Sequence, residues 1–483
     1  MPTIFAPITQ GSRGGISVIR ISGSQTRQCL QKLGFKGEMH HQKISLQKIR
    51  DPKTHEIIDE ALVAFFASPK SFTGEDVAEI SIHGSPFILK KIFEILAQEK
   101  NVRFAQSGEF SKRAFLNGKL DLVQAEAIPD LIAAETAAQH KQALQQLSGK
   151  LGEIYEDWRF RLIEISAMLE AAIDFPDEDL PKNIVDKVEE DVKKLATEIN
   201  SHLDDKKIGQ KIKNGLSLAI IGAPNVGKSS LINFLAQSEV AIVSEIAGTT
   251  RDVIETHLSI AGVAVKICDT AGIHETENKI EQEGIRRALK KAADADLKIF
   301  LVDATKPILR EDLLDENTLI VVNKIDLVNC AARPRHEDGV TMWKEGATIS
   351  KDGETTSKDE ATMSKDGATT LCVLSPRLHD GIWSEPLQIS LTNKINTSEL
   401  LKKLEEKILE IIPNQNLPLI TEERYRVALE NAVTNLENFS LQKNIELSAE
   451  DLRIAAREIG KITGKVDIEN ILDVIFSRFC IGK

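Results

Sequence analysis

The segment Gly222–Ser229, which reads Gly-Ala-Pro-Asn-Val-Gly-Lys-Ser, constrains the fold of this chain more than any other feature. It follows the apolar run 216–221 and precedes an amphipathic stretch, 230–235, which is the strand–loop–helix setting of a phosphate-binding P-loop. The backbone amides of such a loop and the N-terminus of the following helix both favour phosphate. The pattern predicts that Lys228 reaches the β- and γ-phosphates and that Ser229 ligates Mg²⁺.

Two further segments follow the loop, each after an apolar run that is typical of a strand. The first segment runs from Asp269 to Gly272 and reads Asp-Thr-Ala-Gly. Its acid can hold the metal through water, and its glycine amide can contact the γ-phosphate. The second segment runs from Asn323 to Asp326 and reads Asn-Lys-Ile-Asp. The Asp326 carboxylate can accept hydrogen bonds from both the ring N–H and the exocyclic amine of guanine. This order predicts a GTP-hydrolysing domain whose base specificity rests mainly on Asp326.

A third segment, Gly248-Thr-Thr-Arg-Asp252, lies where a switch is expected. Thr250 is predicted to be the second hydroxyl ligand of Mg²⁺, with Thr249 as the alternative. One position departs from the Ras-like pattern, because Ile273 stands where a glutamine would orient the attacking water. Hydrolysis is therefore expected to draw on another residue or to be very slow.

Composition narrows the other possibilities. At 483 residues the chain is long enough for about three domains, and its 42% of apolar residues can give each a core. A net charge of −12 and only 5% aromatic residues argue against broad nonspecific nucleic-acid binding and against plentiful base-stacking surfaces. Five widely spaced cysteines favour a reducing compartment and exclude a zinc ribbon. With no apolar run of membrane-spanning length and no presequence pattern, we expect a cytoplasmic protein without a membrane partner.

The apolar pattern divides the chain into four segments. Residues 1–119 mix short strand-like runs (16–21, 60–66 and 78–83) with helical stretches and predict an α/β domain. Residues 120–212 have the three- and four-residue spacing of amphipathic helices. The nucleotide domain is predicted over 213–411, and helical spacing resumes in 412–483. Two helical blocks around a complete nucleotide domain suggest one helical domain into which that domain is inserted.

A seven-residue tandem repeat interrupts the nucleotide segment. Its three copies begin at Ser350, Ser357 and Ser364. The period could suggest a coiled coil, but no apolar residue recurs at the positions that would form a seam. Because the repeat is polar, charged and glycine-rich, it predicts a disordered surface insertion over about 330–375, without a function of its own.

Six stretches follow a more specific pattern: Arg13–Gly23, Ser71–Glu79 with His83-Gly84, Gly108–Ala127, Ala171–Glu178, Ile246–Asp252 and Phe479–Lys483. In these stretches the chain resembles the MnmE (TrmE) family of tRNA-modification GTPases. The resemblance covers everything except the repeat. It implies a multidomain α/β plus all-α protein, in which an N-terminal folate-binding-like α/β domain precedes a discontinuous helical domain with an inserted Ras-like P-loop G domain.

The resemblance implies ligands for the first and last segments. The N-terminal domain would form a homodimer and bind 5,10-methylene-tetrahydrofolate, for which 5-formyl-tetrahydrofolate is an analogue. Arg20, Glu79, Lys119 and Lys483 match the folate-contacting positions. Cys480 has two interpretations, a buried structural cysteine or a catalytic position at the modification centre. A prenylation signal is disfavoured by the Gly and Lys that end the chain.

The resemblance also implies that K⁺ replaces an arginine finger in the G domain. Asn225 matches its side-chain ligand, and backbone groups of Ser244, Ile246 and Thr249 match the loop around the ion, which a second G domain would complete. Glu281 matches a water-orienting catalytic glutamate, which resolves the departure at Ile273. The full set of GTP-binding positions comprises Asn225, Val226, Gly227, Lys228, Ser229, Ser230, Ser244, Glu245, Ile246, Ala247, Gly248, Thr249, Thr250, Asp269, Thr270, Ala271, Gly272, Asn323, Lys324, Asp326, Ser390, Leu391 and Thr392.

One nucleotide-contacting loop departs from the family pattern. Leu391 stands where alanine is usual, so we expect the backbone contacts to guanine to survive with a lower affinity.

The implied activity is the addition of an aminomethyl or carboxymethylaminomethyl group at C5 of the wobble uridine (position 34) of certain tRNAs. GTP hydrolysis would drive it in a heterotetramer with an FAD-dependent MnmG (GidA)-type partner, and the nitrogen would come from ammonium or glycine. The alternative is a noncatalytic GTP switch such as a ribosome-assembly GTPase. A bare folate-binding protein is disfavoured by the complete GTPase set.

Overall fold

A computed structural model of the chain shows two compact units. One comprises Met1–Lys213 and Asn416–Lys483, and the other comprises Asn214–Gln415. The described residues are 1–9, 14–174, 182–238, 256–269, 293–309, 314–328, 386–413, 418–442, 445–466, 472, 475–477, 479, 480 and 482. The second unit is therefore an insertion into the first, which confirms the predicted discontinuous architecture. The tandem repeat lies outside the described residues.

The first unit contains a six-stranded sheet and a set of helices. Its strands are β1 (Thr3–Pro7), β2 (Gly14–Ser22), β3 (Ile44–Arg50), β4 (Ile57–Phe66), β5 (Val77–Gly84) and β6 (Val102–Phe104). Their order is β3-β4-β5-β2-β1-β6, and only the β1–β6 pair is parallel among these strands. The helices are α1 (Thr26–Lys32), α2 (Pro86–Leu96), α3 (Glu109–Leu116), α4 (Leu122–Ala133), α5 (Ala137–Leu147), α6 (Lys150–Asp174), α7 (Lys182–Leu203) and α8 (Ile208–Asn214), followed after the insertion by α11 (Glu423–Asn438) and α12 (Ile445–Thr463).

The two faces of this sheet differ. One face packs on α1 and α2, and residues from alternate strand positions, such as Ile19, Val63 and Ile80, are buried there. On the opposite face, four apolar side chains remain exposed: Ile16, Ile44, Leu46 and Leu62 are 69%, 70%, 65% and 49% exposed, and Leu46 and Leu62 are cross-strand neighbours. We call these four residues the open sheet face. Several exposed apolar side chains on one face of a sheet are typical of an interaction site.

The helices of the first unit form a second core. It is built mainly from α6, α7, α11 and α12 and includes Trp158, Leu195, Leu429 and Leu452. Their three- and four-residue spacing puts these side chains on one stripe of each helix. The residues of this core up to Ile199 precede the inserted unit, and those from Ile420 onward follow it. The core is therefore formed by two segments of the chain, one on each side of the insertion.

The chain terminus packs back onto the start of the first unit. Phe476 and Phe479 form a small core with Leu122 of α4. Gly108, at φ +65, lies so close to this terminus that a Cβ atom there would be 2.6 Å from the Phe476 carbonyl oxygen. The terminal segment therefore lies between the helical core and the N-terminal sheet.

The second unit is an α/β fold around a six-stranded sheet. Its strands are β7 (Leu216–Ile221), β8 (Thr256–Ile260), β9 (Val263–Asp269), β10 (Leu297–Asp303), β11 (Thr318–Asn323) and β12 (Leu387–Gln388), and its described helices are α9 (Lys228–Gln237) and α10 (Thr397–Ile411), with a 3-10 helix at Ile325–Leu327. The order is β12-β11-β10-β7-β9-β8, and every described pairing is parallel except β8–β9. Every residue of β10 except Asp303, and every residue of β11, is buried, as expected for central parallel strands. Across the described ranges, no helix is long and apolar enough to cross a membrane.

Candidate functional site

The P-loop joins β7 to α9 at the carboxyl edge of the second sheet. Gly227 precedes the first residue of α9 at φ +107, and a Cβ atom there would be 2.5 Å from Asn323 Nδ2. A Cβ atom at Gly222 would be 2.3 Å from the carbonyl oxygen of Leu301. Both positions therefore require glycine because the loop is pressed against β10 and β11.

The phosphate-facing side chains lie at this same edge. Lys228 Nζ donates to the carbonyl oxygens of Gly222 (2.8 Å) and Ala223 (3.0 Å), which holds the ammonium over the loop. Ser229 and Ser230 are exposed in the first turn of α9. The backbone of Asp269 is in register with Ile220, so β9 ends beside the start of the loop. This arrangement fits a phosphate group and a Mg²⁺ ion held by the Ser229 hydroxyl.

Asn323 connects two walls of the nucleotide pocket. Its Nδ2 donates to the Val226 carbonyl oxygen (2.9 Å), and its Oδ1 accepts from the Leu391 amide (3.2 Å). The residue is buried, and its side chain is committed to the protein on both sides. Asp326 is exposed on the 3-10 helix and has no side-chain partner within the described ranges, so its carboxylate is available for the predicted recognition of the base.

The wall that contains Leu391 is well ordered by its own hydrogen bonds. Ser390 is buried and exchanges both backbone hydrogen bonds with Ile395 (3.1 and 3.0 Å), and its hydroxyl accepts from the Asn393 amide (3.1 Å). Leu391 and Thr392 continue this turn. The predicted retention of the backbone geometry at Leu391 is thus compatible with the fold, and its effect on affinity stays a prediction.

Lys324 contacts two residues that the sequence alone did not bring together. Its Nζ donates to Asp303 Oδ2 (2.6 Å) and to the carbonyl oxygen of Asn225 (2.7 Å). Burial acts to raise the pKa of Asp303, but hydrogen bonds from Lys324 and Thr305 outweigh it and hold the pKa below its usual range. The Asp303 carboxylate is therefore charged at neutral pH.

A second polar site lies in the N-terminal sheet. Arg20 of β2 and Glu79 of β5 are register partners, and Arg20 Nε and Nη2 donate to Glu79 Oε1 at 3.0 and 2.8 Å. The Arg20 guanidinium lies 5.1 Å from the ring centre of Phe72 and 5.5 Å from that of Phe110. These aromatic contacts restrict the arginine to one orientation.

The remaining described candidates surround this site. Lys119 Nζ donates to the Pro69 carbonyl oxygen (3.3 Å), at the loop that also carries Phe72. Cys480 is exposed, and its carbonyl oxygen accepts from the Gly108 amide (3.5 Å). A Cβ atom at Gly482 would be 2.3 Å from the carbonyl oxygen of Pro7, the last residue of β1. The chain terminus thus reaches the sheet that bears Arg20 and Glu79.

Comparison with known proteins identifies the family of the chain. The family model described as GTP-binding protein TrmE N-terminus matches residues 3–119, and the model described as MnmE helical domain matches residues 122–480. Two relatives named tRNA modification GTPase MnmE, from Rickettsia akari (strain Hartford) and Rickettsia canadensis (strain McKiel), are each 42% identical over 489 residues, with 100% of both chains covered. The chain belongs to the MnmE family.

A solved structure of more distant similarity is a variant of Era from Aquifex aeolicus bound to GDP·AlF4⁻. It is 23% identical, covers 46% of this chain and 66% of its own, and has a TM-score of 0.26. The assignment to the MnmE family does not depend on it.

Membership in the MnmE family confirms the predicted family, fold class and enzyme class. The chain is a GTP hydrolase that acts in tRNA modification. The roles of individual residues stay predictions. Of the predicted positions, those that lie outside the described residues are Ser244, Glu245, Ile246, Ala247, Gly248, Thr249, Thr250, Thr270, Ala271, Gly272, Glu281 and Lys483.

Sequence reasoning missed Asp303, and with it the contact that Asp303 makes with Lys324. A signal was present, because Asp303 ends an apolar run and the carboxyl ends of parallel strands meet at the ligand-binding edge of a sheet. Phe72 and Phe110 were also missed as neighbours of Arg20, since they are 52 and 90 positions away along the chain.

Proposed function

We propose that this chain couples GTP hydrolysis to the addition of an aminomethyl or carboxymethylaminomethyl group at C5 of the wobble uridine, position 34, of certain tRNAs. The nitrogen comes from ammonium or glycine, and an FAD-dependent MnmG-type partner, joined in a heterotetramer, supplies the flavin redox chemistry. The observation that carries the proposal is the contact of the Cys480 segment with the N-terminal sheet that bears Arg20 and Glu79. A tRNA substrate supports action in the cytoplasm.

The Arg20–Glu79 site fits the pterin ring of a folate. A pterin, like guanine, presents an N–H and an amino group side by side, and the partly exposed Glu79 carboxylate can accept from both. Arg20 holds that carboxylate in place, and Phe72 offers an aromatic face. Lys119 and Lys483 are proposed to contact the rest of the folate. When bound, 5,10-methylene-tetrahydrofolate would supply the methylene carbon.

Cys480 is proposed to act at this centre. Its exposed thiol belongs to the segment that contacts Gly108 and Pro7, so it can approach a ligand bound at the sheet. A structural role in the small core is less well supported, because the buried aromatic residues of that core are Phe476 and Phe479.

The P-loop provides a side-chain oxygen for the proposed K⁺ site. Asn225 is exposed at φ +60, and its side-chain amide has no hydrogen-bond partner in the part of the chain that the structure describes. Its oxygen is thus available to a cation, and backbone groups of Ser244, Ile246 and Thr249 are proposed to complete the site. When bound, K⁺ would neutralise charge that develops on the phosphates during transfer. Glu281 is proposed to orient the attacking water, and Thr250 to join Ser229 at Mg²⁺.

The open sheet face supports homodimerisation through the N-terminal domain. Leu46 and Leu62 are cross-strand neighbours, and both are at least 49% exposed. A second copy of the chain would bury this surface, and the paired G domains would then be held at a high effective concentration for K⁺-dependent association.

The function is tested on tRNA from cells that lack this chain. We expect nucleoside mass spectrometry to show loss of the modified wobble uridines, restoration by the wild-type chain, and no restoration by Cys480→Ser. The variant Cys29→Ser, which changes a buried cysteine elsewhere in the N-terminal domain, is the matched control and should restore modification. Unchanged wobble uridines in the deletion strain would contradict the proposal and favour a noncatalytic GTP switch.

The K⁺ site is tested with purified protein. We expect GTP hydrolysis to be roughly ten to one hundred times faster in K⁺ than in Na⁺ at equal ionic strength, because a fixed cation stabilises transition-state charge. Asn225→Ala should remove most of this difference. Phosphate release is the measurement, and equal rates of the wild-type protein in the two salts would refute the cation assignment.

A further inference from the structure

Lys324 links the base-binding segment to the P-loop. One amino group bridges the Asp303 carboxylate (2.6 Å) and the Asn225 carbonyl oxygen (2.7 Å). Lys324 itself has φ +67, and Asn225 has φ +60, so both backbones are in the left-handed region that non-glycine residues rarely occupy. The bridge therefore connects two backbone turns that need support from their surroundings.

Asp303 is held rigidly for this role. It ends β10, where it is in register with Asn323 of β11, and β10 is also paired with the P-loop strand β7. Its Oδ1 accepts from the amide and the hydroxyl of Thr305 at 2.8 and 2.7 Å, which leaves Oδ2 for Lys324. Only 14% of the Asp303 side chain is exposed. Both oxygens of the carboxylate are thus engaged, and the lysine has a fixed counter-charge.

Loss of this carboxylate would act on Asn225. The Lys324 ammonium would keep its contact with the Asn225 carbonyl oxygen but would lose the charge that fixes its position. A charge-assisted hydrogen bond is stronger and shorter than a neutral one, so the remaining contact would be more variable. The Asn225 backbone, and with it the side-chain oxygen, would then be less well positioned.

We propose that Asp303 is a positioning residue of the GTP site: through Lys324 it fixes the turn at Asn225, and nucleotide affinity and the response to K⁺ both depend on it. The nucleotide part uses only the GTP binding of the family. The K⁺ part rests on the proposed function.

The test is Asp303→Asn, a change that preserves shape and removes the charge. We expect the Kd for a fluorescent N-methylanthraniloyl-GDP to rise about tenfold, mainly through faster dissociation, because a charge-assisted contact next to the ligand is weakened. The K⁺ concentration for half-maximal hydrolysis should rise several-fold, as a less ordered ligand binds its ion more weakly. Asp303→Glu retains the charge and should recover most of the affinity for the nucleotide.

The matched control is Asp315→Asn. Asp315 lies before β11 and pairs with Lys298 near the start of β10, so the variant breaks a lysine–aspartate pair at the end of β10 away from the P-loop. Its Kd for the nucleotide should equal that of the wild type. Equal losses in the two variants would show a general effect on the fold and would overturn the proposal.

The outcomes separate this inference from the proposed function. Wild-type affinity in Asp303→Asn would overturn the inference, whatever the effect of K⁺. If the wild-type enzyme does not respond to K⁺, the proposed cation site fails, and the nucleotide Kd alone decides the role of Asp303. If Asp303→Asn does not fold, Thr305→Val is the second variant, because it removes one donor to the Asp303 carboxylate. It should raise the Kd about two- to threefold, and an unchanged Kd would contradict the proposal.

Discussion

The predicted recognition of the base involves two residues of one segment, and these residues have different surroundings in the fold. Asn323 uses its side-chain amide to join Val226 to Leu391, so it shapes the pocket, and these two bonds leave one N–H of its Nδ2 group uncommitted. Asp326 is exposed at the same edge and provides a carboxylate with two acceptor oxygens. Guanine donates from adjacent N–H groups, whereas adenine does not present donors in that arrangement. We therefore expect specificity to be concentrated on the side chain of Asp326.

This concentration predicts a change of specificity in Asp326→Asn. The asparagine amide would donate where the carboxylate accepted, so we expect the affinity for GDP to fall about one hundredfold, while binding of xanthosine diphosphate, which has a carbonyl at that position, appears. Competition with fluorescent GDP measures both. The substitution Asp315→Asn, remote from this edge, should leave the preference for guanine intact.

At the scale of the element, the helical core contains a histidine that packs against aromatic residues. His202, in the last turn of α7, lies next to Tyr155 and Trp158 of α6, and its Nε2 is 3.3 Å from the Tyr155 hydroxyl. Burial lowers the pKa of His202 below its ordinary value, and the opposing effect of Asp205 is smaller. The neutral imidazole is thus part of the packed core.

The stability of this core should consequently depend on pH. The unfolded chain binds a proton at His202 near the ordinary pKa of 6.5, whereas the folded chain resists protonation. Below pH 6.5 the free energy of unfolding should therefore fall until the lowered pKa of the folded state is reached, and above pH 6.5 His202 contributes no pH dependence.

Urea unfolding at pH 7.5 and pH 5.5 measures this effect. Trp158 reports on the core in a chain whose other tryptophans, Trp343 and Trp383, are replaced by phenylalanine. His202→Gln should lose less stability between the two pH values than its parent. Exposed His140→Gln is the control and should behave like the parent; an identical pH dependence in both variants would refute the role of His202.

Sequence periodicity predicted most elements but few of their contacts. The strand-like runs 16–21, 60–66 and 78–83 fall within β2, β4 and β5, because alternation records which face of a strand is buried. It does not record the partner strand, so the order β3-β4-β5-β2-β1-β6 was not foreseen. The P-loop was predictable because its backbone geometry requires glycine at fixed spacing.

Contacts between distant segments escaped prediction for a physical reason. The bridge from Asp303 to Lys324 depends on the register of two parallel strands, and the contact of Cys480 with Gly108 depends on how the terminus packs. Neither register nor packing leaves a periodic signal in one sequence. The likeness to the MnmE family supplied part of this information, since it identified Arg20, Glu79 and Cys480 as candidates before their positions were known.

At the scale of the whole molecule, the open sheet face is an exposed apolar surface that fits the proposed dimer contact. Its apolar residues lie beside the Arg20–Glu79 site, so a dimer contact there would also enclose a bound folate. Burial of apolar surface contributes about 25 cal/mol for each Å² removed from water, and one lysine in the centre of such a contact would oppose it.

Leu62→Lys should therefore weaken the dimer. In analytical ultracentrifugation at micromolar concentrations, we expect the wild-type chain to form the proposed dimer and the variant to be mainly monomer. Leu409→Lys is a matched control, because Leu409 is 47% exposed on α10 of the second unit, against 49% for Leu62. A dimer unaffected by Leu62→Lys would argue against this interface.

The divided helical core also affects synthesis of the chain. Its first half, which ends at Ile199, leaves the ribosome before the inserted unit Asn214–Gln415, whereas its second half begins at Ile420. At about 5–20 residues per second, translation of the insertion lasts roughly 10–40 s. For that interval the apolar stripes of α6 and α7 have no α11 or α12 to cover them. Nascent chains halted within the insertion should therefore recruit chaperones, and release of those chaperones should await the final seventy or so codons.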